Sequence, residues 1–310
     1  MNNESVDLSV NLGKLKLKNP VMPSSGTFGY GIEFSDFLNL DDLGAIVVKG
    51  TTLHPRLGNF PYRFTEIAGC AEISTIGLQN VGVESFVKEK LPFLRQFKSP
   101  VIVNIAGESV EEFVKITDIL AQADGIGAIE VNLACPNTKG GGLQFSTHRD
   151  ATFQAVKAVR GATDLPVIAK LAPSITDVTV LSKACEEAGA DAICPIFAIT
   201  GMTIDIQTRK SELGKNLLAS VGGPWMKPIA LKLAWQAAQA VKIPIIGGGG
   251  IACAEDAIEF FIAGVTAVQV GIYNFIDPQI MIKIIDGIKQ YLIDHQIENL
   301  SDLRSSHVFP

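Results

Sequence analysis

The chain has 310 residues, 47% of them hydrophobic and 19% charged, with a net charge of −6. That is enough apolar material for a large core, and the charge leaves no global basic footprint, which argues against nucleic-acid binding. No apolar run reaches the roughly 18 residues of a membrane-spanning helix. The opening M-N-N-E-S-V-D-L-S-V lacks the basic and apolar segments of a secretion signal, so the expectation is no membrane attachment and a cytoplasmic location.

Short apolar runs rich in β-branched residues recur along the chain, as expected of strands buried on both faces. In order they begin at Asn19 (N-P-V-M-P-S-S), Ala45 (A-I-V-V-K-G), Pro100 (P-V-I-V-N-I-A) and Ala128 (A-I-E-V-N-L-A). Four more begin at Pro166 (P-V-I-A-K-L-A), Ala192 (A-I-C-P-I-F-A), Pro244 (P-I-I-G-G-G-G) and Ala267 (A-V-Q-V-G-I). Between them, residues 110–123, 176–188, 227–241 and 254–263 carry apolar side chains at three- and four-residue intervals, the period of a helix packed on one face. Buried strands alternating with helices imply parallel crossovers, and eight such units predict one (β/α)₈ barrel over residues 1–310. An open, doubly wound sheet is the structural rival.

Two connections exceed what a crossover helix needs: residues 50–99, after the second strand, and 199–243, after the sixth. Long insertions after barrel strands lie on the catalytic face. The five cysteines (Cys70, Cys135, Cys185, Cys194, Cys253) include no C-x-x-C pair, and the four histidines form no H-x-x-x-H pattern. Neither a metal site nor a disulfide framework is expected, and most of these thiols read as small buried hydrophobes.

A strand inside a barrel should be apolar, so polar residues near strand ends call for a reason. Lys49, Asn104, Asn132, Cys135 and Lys170 stand at the ends of strands two to five and should converge over one mouth. Lysine is almost never buried without a partner. A bound anion or an electron-rich ring would supply one; a neighbouring carboxylate is the plainer alternative. Cys135 sits in E-V-N-L-A-C-P-N-T-K-G-G-G (Glu130 to Gly142), where a strand breaks into a glycine loop. A packed thiol, a metal ligand, half of a disulfide and a reactive group are all compatible with that position.

The seventh and eighth strands end in glycines. Gly247–Gly250 precede a plausible helix start, I-A-C-A-E-D, and Gly271 follows strand eight. Loops after strands seven and eight of such barrels commonly bind phosphate with backbone N–H groups and a helix N-terminus. There is no P-loop and no early G-x-G-x-x-G. A terminal phosphate there, with lysines across the mouth, suits FMN. A lysine at the pyrimidine edge of the ring, for which Lys170 is the candidate, would stabilise reduced flavin.

These residues resemble the class 1 dihydroorotate dehydrogenases, most of all class 1B. The likeness runs from about Leu8 to Leu292 and rests on L-S-V-N-L-G-K-L-K-L-K-N-P-V-M-P-S-S-G-T-F-G-Y-G, on V-N-L-A-C-P-N-T-K-G-G-G, on I-G-L-Q-N (Ile76 to Asn80) and on K-P-I-A-L-K from Lys227. The resemblance implies an FMN enzyme that oxidises (S)-dihydroorotate to orotate in pyrimidine biosynthesis. Cys135 would be the general base that takes the C5 proton while hydride leaves C6 for flavin N5. It implies FMN contacts from Ser25, Lys49, Asn104, Asn132, Lys170, Gly223, Gly249, Gly250, Gly271 and Ile272. Lys49, Asn132, Ser74, Gly77, Leu78, Phe197 and Ala198 would line the substrate pocket. A homodimer, joined by an iron–sulfur/FAD electron-transfer subunit into a heterotetramer, is implied in the same way.

The substrate half departs from the family pattern. Phe197-Ala198 stand where Asn-Thr or Asn-Ser is usual, Ser74 replaces a further asparagine, Val81 replaces a proline, and Glu72 occupies a position that is commonly apolar. Each lost hydrogen-bond partner would cost of the order of 1–3 kcal/mol. A paralogue acting on a less polar substrate, and a flavin-binding electron-transfer subunit with little turnover of its own, are therefore the alternatives.

Overall fold

The computed structural model describes residues 6–67, 71–134, 145–172, 177–196 and 199–305. Eight parallel strands run in chain order: β1 (Val21–Pro23), β2 (Ile46–Thr51), β3 (Val101–Ile105), β4 (Ala128–Asn132), β5 (Val167–Lys170), β6 (Ala192–Cys194), β7 (Ile246–Gly248) and β8 (Ala267–Val270). β2 to β6 pair in sequence order, and β7 pairs with β8, which pairs with β1. A parallel bridge between Ile193 and Ile245 joins β6 to the approach of β7, and the Gly44 N–H donates to the Val21 carbonyl (2.9 Å) on the other side. Those two links close the cylinder, which makes the fold a (β/α)₈ barrel and excludes the open sheet.

The strands are buried along almost their whole length, as apolar runs predict. The outer ring includes α1 (Val110–Ala121), α2 (Arg149–Gly161), α3 (Val178–Glu187), α4 (Lys227–Ala240), α5 (Ala254–Ile262) and α6 (Ile280–Asp294). α1 shows the local logic. Ser109 caps it by accepting from the Glu112 N–H (3.3 Å), and Phe113, Ile116 and Leu120 bury one stripe against the strands. α2, α6 and the short helical pieces over residues 83–94 lie outside the four predicted helices. The first crossover has no α-helix, only 3-10 turns at Ile32–Phe34 and Leu40–Asp42. A hairpin, Val10–Leu12 with Leu15–Leu17, precedes the barrel and buries Leu12 and Leu17 completely.

Both long insertions contribute strands, and those strands pair with each other. Ile199–Gly201, Ala219–Gly222, Ala71–Ser74 and Phe64–Ile67 form one antiparallel sheet in that order. Strand alternation turns Ile73 away into a small cluster with Leu213 and Ala219, so Glu72 and Ser74 take the opposite face. In register, Gly222 and Glu66 lie opposite Glu72, while Ser220 and Phe64 lie opposite Ser74.

Candidate active site

A cleft lies at the C-terminal mouth, with the insertion sheet as one wall and the ends of the strands as its rim. Lys49 reaches it because of a fault in the ladder. β2 and β3 pair evenly from Ile46–Val101 to Val48–Val103, then slip before Thr51–Ile105, so Lys49 and Gly50 form a bulge. Bulges re-aim side chains at barrel rims. Gly50 fits tightly there: a Cβ would lie 2.9 Å from Leu78 Cδ2 and 3.2 Å from Asn104 Oδ1, so a larger residue would have to displace those side chains. Lys49 is half-buried, its Nζ is 5.8 Å from the centre of the Tyr30 ring, and no carboxylate among the described residues lies within ion-pair distance. Burial lowers its pKa, Glu33 opposes that shift and Arg63 reinforces it.

Beneath the cleft is a closed polar network. Glu130 on β4 is fully buried and accepts from Asn104 Nδ2 (2.7 Å) and Gln269 Nε2 (2.5 Å). Lys170 Nζ donates to Gln269 Oε1 (2.6 Å) and sits 3.4 Å from Glu130 Oε1. Asn132 Nδ2 reaches Asn104 Oδ1 (3.4 Å), and Asn132 Oδ1 accepts from the Ala134 N–H (3.1 Å), which fixes the amide orientation where the strand ends. An ion pair this deep persists because every member has polar partners.

The sheet wall holds a second buried carboxylate, on different terms. Glu72 is 8% exposed. Ser74 Oγ approaches its Oε1 at 3.4 Å, while Oε2 is buried with no hydrogen-bond partner among the described residues. Burial pushes this acid up to about 7, against a small opposing pull from Ser74.

A sequence profile of the dihydroorotate dehydrogenase family matches residues 7–292. The chain is 46% identical over 299 residues to a protein of Thermodesulfovibrio yellowstonii named dihydroorotate dehydrogenase B (NAD(+)), catalytic subunit, covering 96% of this chain and 98% of that one. It is 48% identical over 297 residues to a Geotalea daltonii protein of the same name, covering 96% and 97%. A solved dihydroorotate dehydrogenase structure from Eimeria tenella superposes with a TM-score of 0.80 at 21% identity, over 96% of this chain and 87% of that one, and attests the barrel. The chain belongs to the dihydroorotate dehydrogenase family. It is thus an oxidoreductase of the kind that acts on CH–CH bonds, and membership implies a flavin cofactor. Its relatives are named as catalytic subunits, a term that implies a companion subunit for those proteins.

The residues singled out from sequence divide into three groups. Ser25, Lys49, Ser74, Gly77, Leu78, Gly223, Gly249, Gly250, Gly271 and Ile272 all line the one cleft. Asn104, Asn132 and Lys170 lie in the buried floor rather than on the cleft surface. Cys135, Phe197 and Ala198 fall outside the described residues. Lys170 does have the carboxylate partner that the sequence reading weighed, in Glu130. Glu130, Gln269 and Glu72 are the site residues that reading left unassigned. Glu130 and Gln269 carried a signal, since each interrupts an apolar strand, A-I-E-V-N and A-V-Q-V.

The glycine turns fit a flavin's anionic tail. Gly249 and Gly250 have left-handed φ values of 96° and 76°, and a Cβ on Gly250 would lie 2.6 Å from the Lys227 backbone nitrogen. The expected helix N-terminus differs. Asp256 Oδ2 accepts from the Ala252 and Cys253 N–H groups (2.8 and 3.2 Å), completing a capping box at the start of α5. That helix start is self-capped, so the glycine turns are the better phosphate donors. Leu78, Ile196 and Met226 supply apolar contact for a ring. Cys185 and Cys194 are buried, as expected, and burial raises the Cys194 thiol to about 11; Cys253, at the start of α5, is exposed instead. No helix among the described residues is long and apolar enough to cross a membrane.

Proposed function

We propose that this protein oxidises (S)-dihydroorotate to orotate with FMN as cofactor, in pyrimidine biosynthesis. The observation that carries this reading is the convergence of ten predicted contact positions on one cleft, in a chain about 46% identical to dihydroorotate dehydrogenase B catalytic subunits. The bound flavin would supply the acceptor for the hydride leaving C6 of the substrate. The turns at Gly249–Gly250 and Gly271 hold its phosphate, and Ser25, Gly223 and Ile272 flank it. Lys49, with no described carboxylate within ion-pair distance, pairs with the substrate's negative charge. Asn132, oriented by Ala134 and Asn104, presents its amide to the ring, and Ser74, Gly77 and Leu78 complete the pocket beside Phe197 and Ala198. Cys135 removes the C5 proton, so its thiol must be deprotonated in the productive complex. Asn104 and Lys170 act from below, through the network around Glu130.

The rest of the assembly follows the class 1B pattern: a homodimer of this chain, in the cytoplasm, passing electrons through an iron–sulfur/FAD subunit of a heterotetramer to NAD⁺. The test is anaerobic addition of dihydroorotate to the yellow protein. Rapid bleaching of the visible flavin band is expected. A flavin that stays oxidised with dihydroorotate yet bleaches with another reductant would contradict the reading.

A further inference from the structure

The dihydroorotate reading leaves Glu72 without a task. Its place in the cleft is fixed by register. It faces the cavity with Ser74, Phe64 and Gly222, and a Cβ added at Gly222 would lie 3.9 Å from Glu72 Cγ and 2.0 Å from Ile272 Cδ1. Glu72 therefore lies beside Gly222 on the face of the insertion sheet where Ile272, from the loop after β8, packs on that glycine. Its Oε2 is buried and has no partner among the described residues, in a side chain that lines the cleft. A buried polar atom with no partner costs free energy unless something fills the place.

The charges around it decide what that something is. Among the described lining residues, Lys49, Glu72 and the Tyr273 phenol are the ionisable side chains. On the floor, Lys170 and Glu130 cancel each other. From the neighbouring strand, the exposed Glu66 stands directly opposite Glu72 and adds like charge; Ser220 and Gly222 on the other side add none. With Glu72 ionised, the lining is neutral beside Lys49. With Glu72 protonated, the lining carries one positive charge, and the acid O–H becomes a donor for an oxygen of the ligand.

We propose that Glu72 is the charge-selecting residue of the cleft: it receives a carboxylate-bearing ring substrate as the neutral acid and opposes it as the carboxylate. The inference rests on the dihydroorotate reading for the identity of the substrate. Burial already poises the group near neutral pH, and an anion in the cleft raises its affinity for the proton further. Binding of orotate thus takes up a proton, whereas binding of uracil, its uncharged analogue, does not.

The test uses the oxidised, FMN-loaded protein. Dissociation constants for orotate and uracil are read from perturbation of the flavin spectrum between about pH 6 and pH 9, in the native protein, Glu72→Gln and Glu72→Met. Native affinity for orotate should weaken as pH rises through 7, by up to about tenfold per pH unit, the limit for one linked proton. Glu72→Gln should lose that component and keep only the gentler trends due to Lys49 and the Cys135 thiol, while uracil should show no step near pH 7 in any form. Calorimetry of the native protein in buffers of different ionisation heat should register proton uptake that is already present near pH 7, where Lys49 and the Cys135 thiol contribute least, so the inference does not depend on a variant that folds. Dihydroorotate bleaching with an orotate profile identical in native and Glu72→Gln protein, or orotate binding without proton uptake, overturns the inference and leaves the reaction standing. Proton-linked orotate binding lost in Glu72→Gln, without bleaching by dihydroorotate, upholds the inference and removes the reaction. No binding of orotate to any form ends both.

Discussion

Glu130 in the floor and Glu72 in the sheet wall are both buried carboxylates beside the same cleft, and their surroundings are opposite. Glu130 accepts from Asn104 and Gln269 and lies beside Lys170, all within a network in which strand ends and side chains fix one another. Among the described residues, Glu72 has one long hydrogen bond, from Ser74, and an oxygen without a hydrogen-bond partner. The floor belongs to the barrel, whose parallel ladders leave little freedom; the wall belongs to strands contributed by two insertions that meet only in the folded state. A saturated carboxylate is framework. An unsaturated one in a cavity wall is available to a ligand. The contrast therefore separates what holds the site from what reads the substrate.

Several substitutions bear on that contrast. The largest effect belongs to neither carboxylate. Cys135→Ser should retain FMN but slow its reduction by dihydroorotate by about 10²- to 10⁴-fold, the range for a lost general base, in stopped-flow measurements. A mild effect there, with a severe one for Glu72→Gln, would transfer the proton abstraction to the wall. Next comes the floor. Glu130→Ala leaves Lys170 without its counter-charge and should cost about 3–5 kcal/mol in urea unfolding of the flavin-free protein. A cost near zero would mean that the network is not framework.

Glu72 should behave in the reverse sense. Its pKa is raised by burial from 4.5 to about 7, so the native state holds its proton more tightly than the unfolded chain between those values. Stability then falls as pH rises from about 4.5 through 7. Glu72→Met should stabilise the flavin-free protein by of the order of 2–3 kcal/mol at pH 8 and by little on this account at pH 4.5, checked by unfolding at the two pH values. Last is Gly250→Ala. A side chain there adds left-handed strain of ~1–2 kcal/mol to a clash with the Lys227 backbone, so the turn must shift and FMN binding should weaken by at least about tenfold in fluorescence titrations. An unchanged affinity would mean that the phosphate lies elsewhere.

Much of the barrel was legible because its strands are buried on both faces and therefore read as unbroken apolar runs; all eight were placed within a few residues. α1 and α3 were legible from their stripes. α2 was not: in R-D-A-T-F-Q-A-V-K-A-V-R-G the buried face is built largely from Thr152, Ala155 and two valines, too small to announce a periodicity. The insertions were visible as excess length, but their pairing was not, since strand partners more than a hundred residues apart leave no local mark. The glycine turns and Lys49 were readable as exceptions to their strands. The partner of Lys170 was readable in principle, because Glu130 lies inside an apolar strand. Glu72 was visible only as a departure from the family pattern; that its second oxygen is left over depends on the register of Ala71–Ser74 against Ala219–Gly222, a property of the folded sheet alone.

The most direct test of the whole account is a crystal structure of the protein grown with FMN and orotate. The phosphate is expected at the turns of Gly249–Gly250 and Gly271, the ring above the Asn104–Glu130–Lys170 floor, and orotate between that ring and the Cys135 thiol, within reach of Lys49 and Glu72. Flavin density outside this cleft, or a Cys135 thiol on the side of the ring away from orotate, would contradict it.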